Sequence, residues 1–120
     1  MADVVYLIQD MLFSSKVREA AKQLGVTVQA TRDPAAWAEA ARGAKLAIVD
    51  LRLPVATAAL DALAAMPAPG LRTVGFVEHE RTDVMDAARA KGCTDVMAKG
   101  QFSNALPKLL AAISPTAPTP

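Results

Sequence analysis

Cysteine, histidine and aromatic residues are scarce in this sequence of 120 residues. The single cysteine, Cys93, excludes an internal disulfide framework, and the single histidine, His79, leaves no cluster that could hold zinc. The net charge is +1, both signs are interspersed, and aromatic residues make up 4% of the chain. Because nucleic-acid-binding domains carry a basic stripe and often stacking aromatics, this balance argues against a nucleic-acid partner.

Long apolar runs are also missing. No segment approaches the roughly 18 consecutive apolar residues of a membrane-spanning helix. The N-terminal segment has no basic region and its apolar run is short, so we expect no signal peptide, no membrane partner and a cytoplasmic location. With 52% apolar and 21% charged residues, the composition is that of one soluble domain large enough to bury a core.

The most informative stretch is an apolar run from Leu46 to Val49 that ends at Asp50. Such a short run with β-branched residues predicts a buried central strand. In an open parallel sheet the ligand crevice lies outside the carboxyl ends of the strands, so Asp50 is a candidate site residue. The alternative is that Asp50 only starts a loop by bonding nearby backbone groups.

Apolar runs and helical spacings alternate along the rest of the chain. The predicted strands are 4–8, 26–30, 46–50, 72–77 and 95–98, and the predicted helices are 11–24, 34–43, 56–66 and 82–91. Asp33 and Thr82 are predicted helix caps. A last helix carries Leu106 and Ile113 on one face, and Pro107 indicates that it begins nearer to Pro107 than to Ser103.

Five strand–helix units in succession predict a parallel five-stranded sheet with helices on both faces. We expect one domain over residues 1–113. Residues 114–120 contain three prolines and no apolar stripe, which indicates a disordered tail or the start of a linker.

Polar residues follow three of the predicted strands. The motifs are Gln9-Asp10 after strand one, Ile48-Val-Asp50-Leu-Arg-Leu-Pro54 around strand three, Gly92 before strand five, and Met97-Ala-Lys99 at its end. In this order the chain, over about residues 4–113, resembles the receiver domains of bacterial response regulators. That resemblance implies an α/β, flavodoxin-like (βα)5 fold with strand order 2-1-3-4-5.

The resemblance also implies roles for individual residues. Asp50 would be the phosphoryl acceptor, and Lys99 would pair with the phosphoryl group. Asp10, Asp50 and the backbone carbonyl of Arg52 would hold Mg²⁺, a hard cation that prefers oxygen ligands and offsets charge during phosphoryl transfer.

Several departures from the family pattern weaken that chemistry. Gln9 replaces the first of two acids, Val77 stands where the family has a hydroxyl residue, and Val96 stands at the switch aromatic. Gly100 replaces part of the usual turn after Lys99. We therefore expect a degenerate receiver, or pseudo-receiver, with no cofactor or at most a weak Mg²⁺ site.

The function predicted on this basis is a non-enzymatic signalling module that acts through protein–protein interaction, independently of phosphorylation. One alternative is a working phospho-accepting receiver. Another is a small ligand- or nucleotide-binding flavodoxin-like protein, although Met11-Leu-Phe-Ser14-Ser15 lacks the glycine of a phosphate loop. Asp10, Asp50 and Lys99 could also be an inherited salt-bridge cluster without chemistry.

The predicted partner surface comprises helix four, strand five and helix five, between about Thr82 and Ile113. Candidate partners are a second copy of the chain, forming a homodimer, a histidine kinase, or a neighbouring domain. Met85 and Met97 would either contact the partner or pack in the core. Cys93 is expected to be a small core residue and His79 to lie in a solvated loop.

Overall fold

The computed structural model describes residues 2–66 and 70–114. It contains one five-stranded parallel sheet in the order β2-β1-β3-β4-β5. The strands are β1 (Val4–Leu7), β2 (Val28–Thr31), β3 (Leu46–Asp50), β4 (Arg72–Val77) and β5 (Asp95–Ala98). The helices are α1 (Met11–Leu24), α2 (Pro34–Ala41), α3 (Ala56–Ala64), α4 (Thr82–Ala90) and α5 (Lys99–Ala111). The predicted fold and strand order are confirmed.

Hydrophobic cores lie on both faces of the sheet, because successive side chains of a strand point to opposite faces. Val4 and Tyr6 of β1 pack with α1 and α5. Val5 and Leu7 pack with α2 and α3 on the other face. On that second face Trp37 is fully buried, and its indole N–H donates to the carbonyl of Ile48 at 3.0 Å. Since both faces of the sheet are covered, the strand ends are where groups of the sheet itself can reach a ligand.

The end of α1 shows why β2 begins later than predicted. Gly25 adopts a left-handed conformation with φ of 70°, which suits a residue without a Cβ atom. The amide of the next residue, Val26, donates to the carbonyl of Ala21. Val26 is therefore part of the helix cap, and the strand starts at Val28.

Two predictions about helix starts are wrong. α5 begins at Lys99 and contains Pro107, whereas the proline was expected near its start. Phe102 and Leu106 are buried ahead of or beside the proline, so their packing outweighs the one hydrogen bond that a proline removes. Thr82 is the first helical residue of α4, and its side chain makes no capping bond.

The loop after Asp50 is held close to β4. The amide of Leu51 donates to the carbonyl of Phe76, and a Cβ atom at Gly75 would lie 2.8 Å from a side-chain carbon of Leu51. A larger residue here would force the Leu51 side chain to move, which favours glycine at this position.

The predicted domain boundary stays a prediction. Ser114 is buried, and its hydroxyl donates to the carbonyl of Leu24 at 2.6 Å. Residues 115–120 of the predicted tail lie outside the described residues. Over the described ranges, no helix is both long enough and apolar enough to cross a lipid bilayer.

Candidate functional site

Two carboxylates meet at the carboxyl ends of the adjacent strands β1 and β3. Asp50 is the last residue of β3 and is 1% exposed. Asp10 follows β1 and caps α1, where its Oδ1 accepts from the amides of Leu12 and Phe13. Asp10 is half-buried and Asp50 is buried. Because buried charges are normally paired, these two carboxylates require a nearby cation.

The guanidinium of Arg52 lies between the two carboxylates. Its Nε donates to Asp50 Oδ1 at 2.8 Å and its Nη2 donates to Asp50 Oδ2 at 2.7 Å, which is a bidentate pair. The same Nη2 lies 3.3 Å from Asp10 Oδ2. The backbone amide of Arg52 adds a bond of 3.0 Å to Asp50 Oδ1. Both oxygens of Asp50 are therefore engaged.

Three stacked phenylalanines form the wall behind this ion pair. Phe76 lies between the other two, with ring centroids 5.0 Å from Phe13 and 4.5 Å from Phe102. The guanidinium carbon of Arg52 is 5.7 Å from the centroids of both Phe13 and Phe76, within cation–π range. The ammonium of Lys99 is 5.2 Å from the centroid of Phe13. Lys99 makes no ion pair within the described ranges, so its cation faces an aromatic ring and not a carboxylate.

The surroundings of Asp10 and Arg52 favour the charged form of each residue. The backbone amide of Phe13, with smaller contributions from the Arg52 guanidinium and the amide of Leu12, lowers the pKa of Asp10 below the ordinary aspartate value. Hydrogen bonds to Asp50 raise the pKa of Arg52 further above that of a free guanidinium. Asp10 and Arg52 are therefore charged at neutral pH, and one positive charge faces two carboxyl groups.

The residues as arranged do not fit a magnesium ion. An ion bridging Asp10 and Asp50 would occupy the space where Arg52 Nη2 lies, at 3.3 and 2.7 Å from their Oδ2 atoms. Throughout residues 2–66 and 70–114, no group of three or more histidine, cysteine, aspartate or glutamate residues could hold a metal. The Arg52 side chain therefore provides the positive charge between the two carboxylates, whereas the resemblance to receivers assigned a role only to its backbone carbonyl.

A scan against protein-family models and a search of curated proteins each give no match for this sequence. Solved structures do match. A response regulator from Hahella chejuensis superposes with a TM-score of 0.75 at 15% identity, covering 100% of both chains. The chain has the receiver-domain fold. The receiver domain of a sensor histidine kinase from Pseudomonas aeruginosa PAO1, solved with magnesium in its active-site cleft, gives 0.73 at 16% identity, covering 93% of this chain and 96% of that one.

A third structure with the receiver fold comes from a complex. It is the receiver domain of Saccharomyces cerevisiae Ssk1, solved with the phosphotransfer protein Ypd1. It matches with a TM-score of 0.73 at 14% identity, covering 92% of this chain and 87% of that chain. At these identities the likeness concerns the fold, and residue roles have to be argued from this chain's own geometry.

The departures seen in the sequence take distinct places in the receiver fold. Gln9 is exposed and lines a cleft between α1 and β2 that neither Asp10 nor Asp50 lines. Val77 is 1% exposed and packs in the core on the α2 and α3 face. Glu78 follows Val77, and its Oε2 is buried without a hydrogen-bond partner in the part of the chain that is described. Val96 is half-buried in the edge strand β5.

Sequence analysis did not find the Arg52 side chain or the phenylalanine stack. The signal for Arg52 was its position two residues after Asp50, which lets a long side chain fold back onto the strand end. The signal for the stack was the position of Phe13 in the first turn of α1 and of Phe76 near the end of β4. Neither position predicts these contacts unless β1, β3 and β4 are known to be neighbours in the sheet.

The structure also places the two methionines, the cysteine and the histidine discussed above. Met97 is in the core at 9% exposure, whereas Met85 is half-buried against the second core. Cys93 is a core residue, and burial raises the pKa of its thiol to about 11. His79 is exposed, as expected, and its Nε2 lies 3.0 Å from a carboxylate oxygen of Glu80.

Proposed function

We propose that this chain is a receiver-like signalling module that acts by binding protein partners and does not need phosphorylation of Asp50. The observation that carries the proposal is the bidentate pair between Arg52 and Asp50, with Asp10 on the same Nη2 atom. A built-in guanidinium supplies the positive charge that a receiver otherwise takes from a metal ion. The positive charge at the site then comes from a side chain of the protein and does not depend on a bound ion.

The same pair opposes phosphorylation. A carboxylate attacks phosphorus with a free oxygen lone pair, and both oxygens of Asp50 accept from Arg52. These charge-assisted bonds lower the nucleophilicity of both oxygens, and Asp50 is 1% exposed, so a phosphoryl donor has little access to it. Val77 offers no hydroxyl to a phosphoryl oxygen. The proposal therefore includes no catalytic activity, and any Mg²⁺ binding is weak.

One alternative keeps support from the structure, namely a phospho-accepting receiver. Asp10, Asp50 and Lys99 are gathered around Phe13 and Arg52, as such a site would require. Incubation with acetyl phosphate and Mg²⁺, followed by intact-mass measurement, separates the two functions. We expect no labelling of the native chain. Rapid stoichiometric labelling that is lost in Asp50→Asn would establish the alternative and refute the proposal.

The proposed partner surface is formed by α4, β5 and α5, which we call the α4–β5–α5 face. β5 is an edge strand paired with β4 alone within the described sheet. Asp86 and Arg89 of α4 are exposed and lie 3.2 Å apart in an i,i+3 pair. A surface pair of this kind contributes little to folding, so changing it should alter recognition and leave stability nearly unchanged. The partner is a protein of the cytoplasm: a second copy, a histidine kinase or a neighbouring domain.

This surface is tested by comparing charge reversals with loss of the carboxylate. A fluorescent fusion in the native host, together with sedimentation of the purified domain, reports partner binding and dimer formation. We expect Asp86→Lys and Arg89→Glu to change localisation or sedimentation, and Asp50→Ala to have no effect. Glu19→Lys on exposed α1 is the matched control. Loss of binding in Asp50→Ala with both α4 variants silent would contradict the proposal.

A further inference from the structure

A polar cleft separates α1 from the edge strand β2. Its volume is about 530 Å³, which is within the range of small-molecule sites. Tyr6 of β1 and its register neighbour Ala30 of β2 lie at one side, and Met11, Ser14 and Arg18 of α1 lie at the other. The three α1 residues are spaced i, i+3 and i+7, so they share one face of the helix. The cleft is thus built from three elements of the fold.

Two arginines line this cleft. The sequence has seven arginines. Five of them form ion pairs with acidic residues at positions 39, 50, 83, 86 and 95. The other two, Arg18 and Arg32, form none with any described residue, and both line the cleft. Two arginines that line one cleft, with no acidic residue among the lining residues, favour a bound anion, and planar guanidiniums suit phosphate oxygens.

The hydroxyl of Tyr6 lies at the same cleft. Tyr6 is 3% exposed and lines the cleft, and its hydroxyl makes no hydrogen bond with the residues that the structure describes. The hydroxyl oxygen itself is not fully buried, so it is open to the cleft and available to a ligand. The neighbouring Thr31 is not available in the same way, because its hydroxyl donates to the backbone carbonyl of Tyr6 at 2.8 Å.

We propose that the cleft between α1 and β2 binds a small phosphate-bearing molecule with an apolar or aromatic body, of the size of a nucleoside monophosphate. Arg18 and Arg32 bind the phosphate, and the Tyr6 hydroxyl bonds the body or a phosphate oxygen. Ile8, Ala30 and the exposed Met11 provide apolar contact. A free phosphate ion would leave most of the 530 Å³ unfilled, which is why the ligand has a body.

The site is separate from the carboxylate site. Asp10, Asp50 and Lys99 do not line the cleft, and Arg52 is bound to the carboxylates. Neither proposal therefore depends on the other. Ligand binding should be unchanged in Asp50→Asn, and the phosphorylation test should be unchanged in Arg32→Gln.

The test is titration of the purified domain with adenosine 5′-monophosphate, followed by calorimetry and by NMR shifts of the arginine side chains. We expect saturable binding that weakens as salt is raised. Arg18→Gln and Arg32→Gln should each weaken it roughly ten- to hundredfold, since each removes a charge-assisted hydrogen bond. Both residues are exposed, so the variants should fold, which thermal unfolding checks. Arg42→Gln is the matched control and should bind normally, because Arg42 is an exposed arginine at the C-terminal end of α2 that does not line the cleft.

Two further ligands separate the parts of the proposal. Adenosine without phosphate should bind at least tenfold more weakly, and inorganic phosphate should bind more weakly than the nucleotide while remaining sensitive to Arg18→Gln. Tyr6→Phe should reduce nucleotide affinity severalfold. The proposal is overturned if the nucleotide shows no saturable binding at millimolar concentration, if adenosine binds equally well, or if Arg42→Gln loses as much affinity as the two cleft variants.

Discussion

Replacing Arg52 by alanine tests the reasoning about the site most directly. The change removes the guanidinium that donates to Asp50 at 2.7 and 2.8 Å and reaches Asp10 at 3.3 Å. Asp50 stays buried and retains its bond from the backbone amide of residue 52. The site then has two carboxyl groups without the cation that lay between them.

Breaking a buried ion pair by removing one partner costs about 3–5 kcal/mol of folding free energy. The Arg52 side chain is 23% exposed, so water can enter the space that the guanidinium leaves. We therefore expect a loss of about 2–3 kcal/mol, near or below the low end of that range. The double variant Asp50→Asn with Arg52→Ala should recover part of the loss, because it removes the uncompensated charge as well.

Mg²⁺ should distinguish the variant from the native chain. Removing Arg52 frees the space between Asp10 and Asp50, and a dication that binds there stabilises the fold by about 1.4 kcal/mol at a tenfold excess over its Kd. Urea unfolding with and without MgCl₂ measures this, and the fully buried Trp37 reports unfolding by its fluorescence. The native chain should respond little.

The matched control is Arg89→Ala, which removes an exposed guanidinium from a surface pair and should change stability by about 0.5 kcal/mol or less. The reasoning is refuted if Arg52→Ala behaves like this control. It is also refuted if Mg²⁺ stabilises the native chain as strongly as it stabilises the variant.

Three other perturbations have definite outcomes. The lowered pKa of Asp10 means that its contribution to folding stability is present above the unfolded pKa and is lost as pH falls through the folded pKa. The difference in unfolding free energy between the native chain and Asp10→Asn should therefore shrink below pH 3.8. A difference that stays constant with pH in urea titrations would contradict this. Gly75→Ala should cost about 1–3 kcal/mol because its Cβ would lie 2.8 Å from Leu51, whereas Gly100→Ala, in open space, should be neutral or slightly stabilising by thermal unfolding. Cys93 should resist thiol reagents at pH 8 until the domain unfolds, because burial raises its pKa to about 11; prompt labelling of the folded chain would refute that.

Sequence reasoning succeeded where structure is decided by near neighbours and by periodicity. The run from Leu46 to Val49 predicts a strand because a short β-branched run suits a strand covered on both faces. Asp33 before Pro34 predicts a helix start, and the Asp33 carboxylate does accept from the amide of Ala36 at 2.9 Å. Alternating strands and helices restrict the fold to a parallel sheet, since right-handed crossovers leave few other topologies.

The sequence did not decide matters that depend on residues far apart along the chain. Pro107 inside α5 is tolerated because buried leucines on both sides of it hold the helix against the sheet, and no local rule supplies that packing energy. In the sequence, Arg18 and Arg32 each look like an ordinary surface residue. Their convergence on one cleft becomes visible only when α1 lies over β2.

The same division holds at the carboxylates. The sequence by itself determined that Asp10, Asp50 and Lys99 follow strands that end at one edge, because polar groups after buried runs mark strand ends. Only the tertiary structure decided that the Arg52 side chain folds back between Asp10 and Asp50, while Lys99 turns to the ring of Phe13. The physical reason is that a flexible cationic side chain binds the anions that its rotamers can reach. The pairing of β1 with β3 brings Asp10 within reach of Arg52, although these two residues are 42 positions apart in the sequence.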